Sequence, residues 1–402
     1  MKKLLYLVHR LPYPPNKGDK ISSNNMLNYF SARWRVHLGT FVDDPEDWQY
    51  VDLVGSKCED CCIVNLPGWR RLTGSLSGLL TGQALSLSYY GSRELQNWVR
   101  KTIDRECPDA VLVFSGVMGR FVRDLLPDHV PVIFDAEDVD SEKWRSYGDS
   151  AHWPLSWLYR REANKLLAYE RKMAASTSVT LFVSEEEADL FKTLAPESAE
   201  KTYFRTQGVD SIYFDPSVEL DNPYEEGERV LVFTGAMDYR PNIDAVTWFC
   251  DNVVSTIREK EPNFLFCIVG MKPTDEVRQL DNIPGVRVTG GVPDVRPYLS
   301  HALAACLPLQ LARGIQNKAL EAMAMALPVL ATDDALIGII DHPGVLSYVA
   351  NTADEMSRLA LDILSRPRQA NTAGRICVQE HYNWDTNLRR MESFLLREED
   401  VH

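Results

Sequence analysis

Short hydrophobic runs recur along the chain, separated by longer stretches whose apolar residues fall at helical spacing. The runs at Leu4–Val8, Val36–Phe41, Cys62–Leu66, Ala110–Phe114 and Val132–Phe134 predict strands, and Leu95–Ile103 between them predicts a helix. A further strand is expected at Val179–Val183, leading into a helix that Ser184 caps and three glutamates open, a favourable sign against the helix dipole. The alternation restarts with a strand at Val230–Thr234, a helix near Ala245–Ile257, and strands at Phe264–Val269 and Val286–Thr289. Strands alternating with helices predict an α/β architecture with parallel, doubly wound sheets, and the restart predicts two of them.

The stretch Leu303–Thr332 reads as strand, loop, helix, strand: an apolar run ends at Gln310, Gly314 sits in the turn, Glu321 lies in an alanine- and methionine-rich helix, and Pro328 precedes the next strand. A helix opening after Gly314 points its unpaired N–H groups and positive dipole end above the sheet, which suits phosphate, with Lys318 in its first turn. Ala319, Ala322, Met323 and Met325 read as core. Glu321 does not, because burying a lone carboxylate costs several kcal/mol, and a carboxylate there can accept two hydrogen bonds from a ribose diol.

Length and composition narrow the picture. A chain of 402 residues is long for one core, so two domains are expected. A net charge of -14 argues against nucleic acid as a partner, since such proteins present a basic face to phosphates. Only five apolar residues, Leu4–Val8, precede His9 and Arg10, too few for the core of a signal peptide. No run of about 18 apolar residues occurs, so no membrane-spanning helix is expected, and the scattered cysteines, with Cys267 and Cys306 inside apolar runs, read as the reduced, buried cysteines of a cytoplasmic protein. Cys58, Cys61 and Cys62 form a CxxCC cluster without a second ligand pair, and no metal site is expected.

Several further residues stand where chemistry is expected. Gly18, with Lys17 and Lys20, lies in the loop after the first strand, at the carboxyl end where open α/β sheets bind ligands. Gly235 and Arg240 follow Val230–Thr234 in the same way, and the planar fork of an arginine suits a diphosphate. Asp135 is read as the first residue off its strand, opening the acidic turn DAEDVDSEKW. His152–Ala174 predicts one amphipathic helix with Trp153, Trp157 and five bases against Glu162 and Glu170. Together with Gly68–Leu80 it suggests a patch for an anionic membrane surface, the alternative being a packed helix with an exposed basic stripe.

Glu321-Ala322-Met323-Ala324 resembles the donor-binding helix of retaining GT-B glycosyltransferases of family 4 (glycosyltransferase group 1), whose pattern is an acid, seven residues, then Glu-Ala-Met-Ala. Arg313 stands at the first acidic position. RTQGVDSIYFDP, Arg205–Pro216, resembles the family's interdomain segment, with Gln207 for the usual Asn while Gly208, Val209 and Asp210 remain. GGVPDVRPYL resembles its nucleobase loop, which implicates Gly290 and Val292. DAEDVDSEKW is similar to a subgroup associated with bacterial exopolysaccharide and PEP-CTERM sorting systems.

The resemblance implies a GT-B fold, two Rossmann-like doubly wound domains facing across a cleft. It implies an acceptor-side domain over residues 1–205, a nucleotide-sugar-binding domain over 206–380 and a helix over 381–402 that crosses back. The implied activity is transfer of a sugar from a nucleotide-diphospho-sugar to a glycan or polyprenyl-linked acceptor with retention, without metal or cofactor. Asp135 and Glu321 are implied as catalytic. Gly18, Gly235, Arg240, Gly290, Val292, Arg313, Gly314 and Lys318 join Glu321 at the donor. The cation at Arg313 implies a preference for an anionic donor sugar. Two rivals remain: a catalytically silent nucleotide-sugar-binding protein, and an epimerase whose acid/base pair comes from Asp135–Asp140.

Overall fold

The computed structural model describes residues 1–68, 78–79, 81–127, 129–312 and 314–397. The chain forms two compact units, one holding residues up to Arg205 and the chain from Asp385 onward, the other Thr206–Trp384.

Among the described residues the first unit is built on β1 (Lys3–Val8), β2 (Arg35–Val42), β3 (Asp60–Asn65), β4 (Ala110–Phe114), β5 (Val132–Glu137), β6 (Val179–Phe182) and β7 (Thr202–Phe204). Their order is β3-β2-β1-β4-β5-β6-β7, with every neighbouring pair parallel. The β1 and β4 runs are buried throughout from Leu4 to Val8 and from Ala110 to Phe114, as strands covered by helices on both faces must be. The chain leaves β1 toward β2 on one side and β4 lies on the other, so the order reverses between β1 and β4. A crevice forms at the carboxyl ends of strands where such a reversal occurs.

The second unit repeats the plan with β8 (Arg229–Thr234), β9 (Phe264–Val269), β10 (Val286–Gly290), β11 (Ala304–Leu307), β12 (Val329–Ala331) and β13 (Ser347–Val349). The order β10-β9-β8-β11-β12-β13 is again all parallel, and the reversal lies between β8 and β11. Its core gathers Leu231, Phe233, Phe249, Phe266, Ile268 and Met323 with their neighbours.

Three expectations need correction. Strand β5 does not stop at Phe134 but runs to Glu137, with a register shift between Asp135 and Glu137 where it pairs with β6. The single helix expected over His152–Ala174 is present but shifted, starting after Pro154 and running over Leu155–Ser176, with a separate helix over Asp140–Ser150 before it. The tail is divided, into Thr372–His381 and Trp384–Leu396. Buried Tyr382 is held between them, its hydroxyl donating to the Gly338 carbonyl at 3.0 Å and accepting from Ile340 N–H at 2.8 Å. The last helix packs on the first unit, where Glu392 accepts hydrogen bonds from the Tyr29 hydroxyl (2.8 Å) and Trp34 Nε1 (2.7 Å). A side chain at Gly208 would place Cβ 2.5 Å from the Trp384 ring, so only glycine fits there.

Candidate functional site

The reversal point of the second sheet brings together residues distant in sequence. Gly235 leaves β8, Gly270 leaves β9 and Gly290 ends β10, and they line up along the same edge: Gly235 N–H donates to Val269 O at 3.0 Å and Gly270 N–H to Gly290 O at 3.1 Å. A Cβ on Gly270 would lie 1.7 Å from the Gly235 carbonyl, so the backbones meet directly. Gly290 has φ 69° with open space where a side chain would be, a bare backbone facing outward. Val292, half-buried beyond it, packs on the core of the second unit.

Across the reversal, the turn after β11 carries Gly314 at φ 61° and leads into the helix Asn317–Ala324. This helix starts two residues later than a helix opening directly after Gly314 and buries Ala319, Leu320, Ala322, Met323 and Ala324, leaving Lys318 and Glu321 together on its other face. Lys318 Nζ donates to Asn242 Oδ1 at 2.8 Å and Gln316 Oε1 at 3.4 Å, and sits 5.3 Å from the Phe233 ring centre. Burial pulls its pKa down to about 8, against the opposing charge of Glu321. Burial raises Glu321 to about 7, with Lys318 acting in the other direction. Glu321 makes no side-chain hydrogen bond among the described residues, so its oxygens remain available as acceptors. A Cβ on Gly235 would press on Asn242 Nδ2 at 2.8 Å and Lys318 Cε at 3.4 Å, so that glycine makes room for the cation. A cation at a helix N-terminus beside bare backbone N–H groups suits a diphosphate, and an acceptor carboxylate one turn along suits a diol.

Asn242 and Gly270 escaped the sequence reading. Asn242 sits in the first turn of the helix Arg240–Asn252, anchored by its amide to Ala236 O at 2.9 Å, and the only hint of it was a polar residue just inside a helix that follows a strand-end glycine. Arg240, by contrast, is not brought to this cluster. Its guanidinium is 69% exposed and paired with Asp244 at 2.5 Å and Glu276 at 3.6 Å, because the first position of that helix points its side chain along the outer surface. Arg313 lies outside the described residues, as does most of the Gly68–Leu80 patch.

The first unit has its own constellation at the ends of β1, β4 and β5. His9 Nε2 meets Asp19 Oδ2 at 3.1 Å, Arg10 joins the same oxygen at 2.9 Å, and His9 stacks on Phe114. Gly18 is the exposed first residue of the helix Gly18–Ser31, and Lys20 is buried in an ion pair with Asp47 at 2.5 Å, so Lys20 is not free for a ligand. Asp135 corrects a second expectation. Lying inside β5 rather than beyond it, its carboxylate is wholly buried and paired with Arg205 Nε, so it does not reach a substrate. Glu137, two residues on, does approach the surface.

The three cysteines of the CxxCC cluster are free thiols, and burial pushes Cys58 and Cys62 up to about 12. Among the described residues no group of His, Cys, Asp and Glu is arranged to hold a metal, and no helix is long and apolar enough to cross a membrane.

Residues 228–366 match the family of glycosyl transferases group 1. No curated protein sequence matches the chain. Solved structures do. HepE from Anabaena, in complex with UDP and glucose, is 13% identical with a TM-score of 0.67, covering 99% of this chain and 100% of that one. Sucrose-phosphate synthase from Thermosynechococcus elongatus is 15% identical with a TM-score of 0.69, covering 99% of each. WaaG, a glycosyltransferase involved in lipopolysaccharide biosynthesis, is 16% identical with a TM-score of 0.60, covering 98% of each. These likenesses show the fold, the two parallel-sheet α/β domains of GT-B proteins.

Proposed function

We propose that this chain is a glycosyltransferase that takes a sugar from a uridine diphosphate sugar and passes it, with retention, to a glycan or polyprenyl-linked acceptor. The observation that carries the reading is the pairing of Lys318 and Glu321 on one face of the helix Asn317–Ala324, with Lys318 held by Asn242 above the bare backbone at Gly235. HepE binds UDP on the same fold, which supports uridine as the base. The match of residues 228–366 to group 1 glycosyl transferases supports the second unit as the donor side.

On this reading the diphosphate lies on the helix N-terminus and Gly235, and the ribose hydroxyls donate to Glu321. The bond from the anomeric carbon to the diphosphate breaks, and the electron pair stays on a phosphate oxygen that Lys318 and the helix end neutralise. The acceptor oxygen forms its bond on the face the diphosphate leaves. Its proton passes to the departing phosphate, so configuration is kept without a covalent enzyme intermediate. The Lys318 ammonium supplies the charge, so the reaction runs without metal. A role in exopolysaccharide synthesis is supported by the DAEDVDSEKW stretch, and contact with anionic membrane by Trp153 and Trp157, both exposed.

Incubating the protein with radiolabelled UDP-glucose, UDP-N-acetylglucosamine and UDP-glucuronic acid in a bacterial membrane extract tests the reading. Label should move into the glycan or lipid fraction, and EDTA should leave the rate unchanged. Binding without transfer overturns the enzyme in favour of a silent binding protein, and recovery of an isomerised donor overturns it in favour of an epimerase.

A further inference from the structure

Asn242 lies buried in the first turn of the helix Arg240–Asn252, where an asparagine ordinarily caps the helix or folds back on its own backbone. Here no side chain caps that helix end. The Asn242 amide instead joins two other elements. Its Nδ2 donates to Ala236 O in the turn after β8 at 2.9 Å, which fixes the amide so that Oδ1 accepts from Lys318 Nζ at 2.8 Å. Gly235 leaves that orientation open, since a Cβ there would sit 2.8 Å from Nδ2.

Lys318 is held by amides alone. An ammonium carries three N–H donors and no acceptor. One donor goes to Asn242 Oδ1 and a second to Gln316 Oε1 at 3.4 Å, while Gln316 Nε2 is turned to Gly314 O at 3.2 Å. Phe233 of β8 lies beside the ammonium, and among the described residues the only charge acting on it is Glu321, one turn along its own helix. Lys20, Arg205 and Arg287 are held differently, each against a carboxylate: Asp47, Asp135 and Glu228. A carboxylate clamp neutralises the cation it positions, whereas an amide oxygen orients the cation and leaves its whole charge for a third partner.

We propose that Asn242 is the positioning residue of the donor site, a neutral clamp that aims Lys318 so that the ammonium meets the diphosphate with its full charge and its third N–H. The inference rests on the nucleotide-sugar reading of this site and adds the residue through which Lys318 is made effective. Leucine at 242 would leave the ammonium without its nearest acceptor, which favours loss of its proton. Aspartate at 242 has the same shape and would hold the proton more firmly, but its charge would cancel that of the lysine and repel phosphate. The two substitutions therefore weaken the site for opposite reasons.

Calorimetric titration of UDP separates them, with the parent full-length chain, Asn242→Leu, Asn242→Asp, Lys318→Met and the double variant Asn242→Leu with Lys318→Met. The range is about pH 7 to 9, above the second ionisation of a phosphate near pH 6. At neutral pH Asn242→Leu and Asn242→Asp should each bind UDP about tenfold more weakly than the parent. The parent should lose affinity above about pH 8, as Lys318 gives up its proton. Asn242→Leu should begin that loss at a lower pH, and Asn242→Asp should stay level across the range. In the Lys318→Met background, Asn242→Leu should change UDP affinity by no more than about twofold, because Asn242 acts through the lysine. A tenfold loss in that background as well would make Asn242 a support of the turn at Gly235 and overturn the proposal. Parental affinity in Asn242→Leu overturns it too, as does a profile that follows the parent in both single variants. Should Asn242→Leu fail to fold, the Asn242→Asp profile decides: weak and level supports the clamp, and a fall above pH 8 like that of the parent overturns it. If Lys318→Met binds UDP as tightly as the parent, the donor-site reading itself fails, and this inference falls with it.

Discussion

At Lys318 and Glu321, burial and mutual attraction pull against each other, and burial prevails at both. Glu321 is raised to about 7, so between its ordinary range and pH 7 the folded state binds more protons than the unfolded one, and stability falls as pH rises through that window. Lys318 is lowered to about 8, so from pH 8 up to its ordinary value the unfolded state binds more protons, and stability recovers. The pair is least comfortable near neutral pH, where a donor needs both charges. Glu321→Gln should therefore melt higher than the parent at pH 8, by roughly 1 kcal/mol of added stability, and this difference should vanish at pH 4. A melting temperature equal to the parent at both values would remove the functional cause of that burial. Both residues were legible in sequence because a charge in an apolar helix stands out. Asn242 was not, since its contact with Lys318 joins positions 76 residues apart. Asp135 was misplaced for a different reason: a register shift leaves no mark on composition, so the acid that faces outward had to be found in the backbone.

The strand and helix pattern was legible wherever an element is buried on a regular face. The runs of β1, β4, β8 and β9 are unbroken because both faces of those strands are covered. The edge strand β13, Ser347–Val349, was missed because its residues are only partly covered and show no apolar run. The Leu155–Ser176 helix has the two faces its mixed pattern predicts, with Trp153 just before its start. Leu166, Tyr169 and Met173 are buried, whereas Trp153 and Trp157 are 82% and 58% exposed beside Arg160 and Lys165. Such a surface should pellet with vesicles containing phosphatidylserine at low salt and release at high salt. Arg160→Ala with Lys165→Ala should weaken that binding by about thirtyfold, taking about 1 kcal/mol for each of the two charges removed. Equal pelleting with phosphatidylcholine alone would show a merely apolar surface.

On the scale of the molecule, two doubly wound sheets follow from the same rule applied twice: a parallel strand buried on both faces, a helix to cross over, and a reversal of order that opens a crevice. Each unit concentrates its charged and glycine-rich turns at that reversal, Gly235, Lys318 and Glu321 in the second and His9, Glu137 and Arg205 in the first. The chemistry differs. The second presents a cation, bare backbone and an unshared carboxylate, which suits a nucleoside diphosphate, and the first pairs its acids with basic side chains, Asp19 with His9 and Arg10 and Asp135 with Arg205. The donor site is the centre of the proposal, and calorimetry tests it most directly, with UDP and with inorganic pyrophosphate titrated into the parent and into Glu321→Ala. If Glu321 holds the ribose, the substitution removes charge-assisted hydrogen bonds of about 1.5 to 3 kcal/mol, so UDP should bind roughly ten- to a hundredfold more weakly while pyrophosphate binds as before. UDP bound by Glu321→Ala as tightly as by the parent would contradict the donor site.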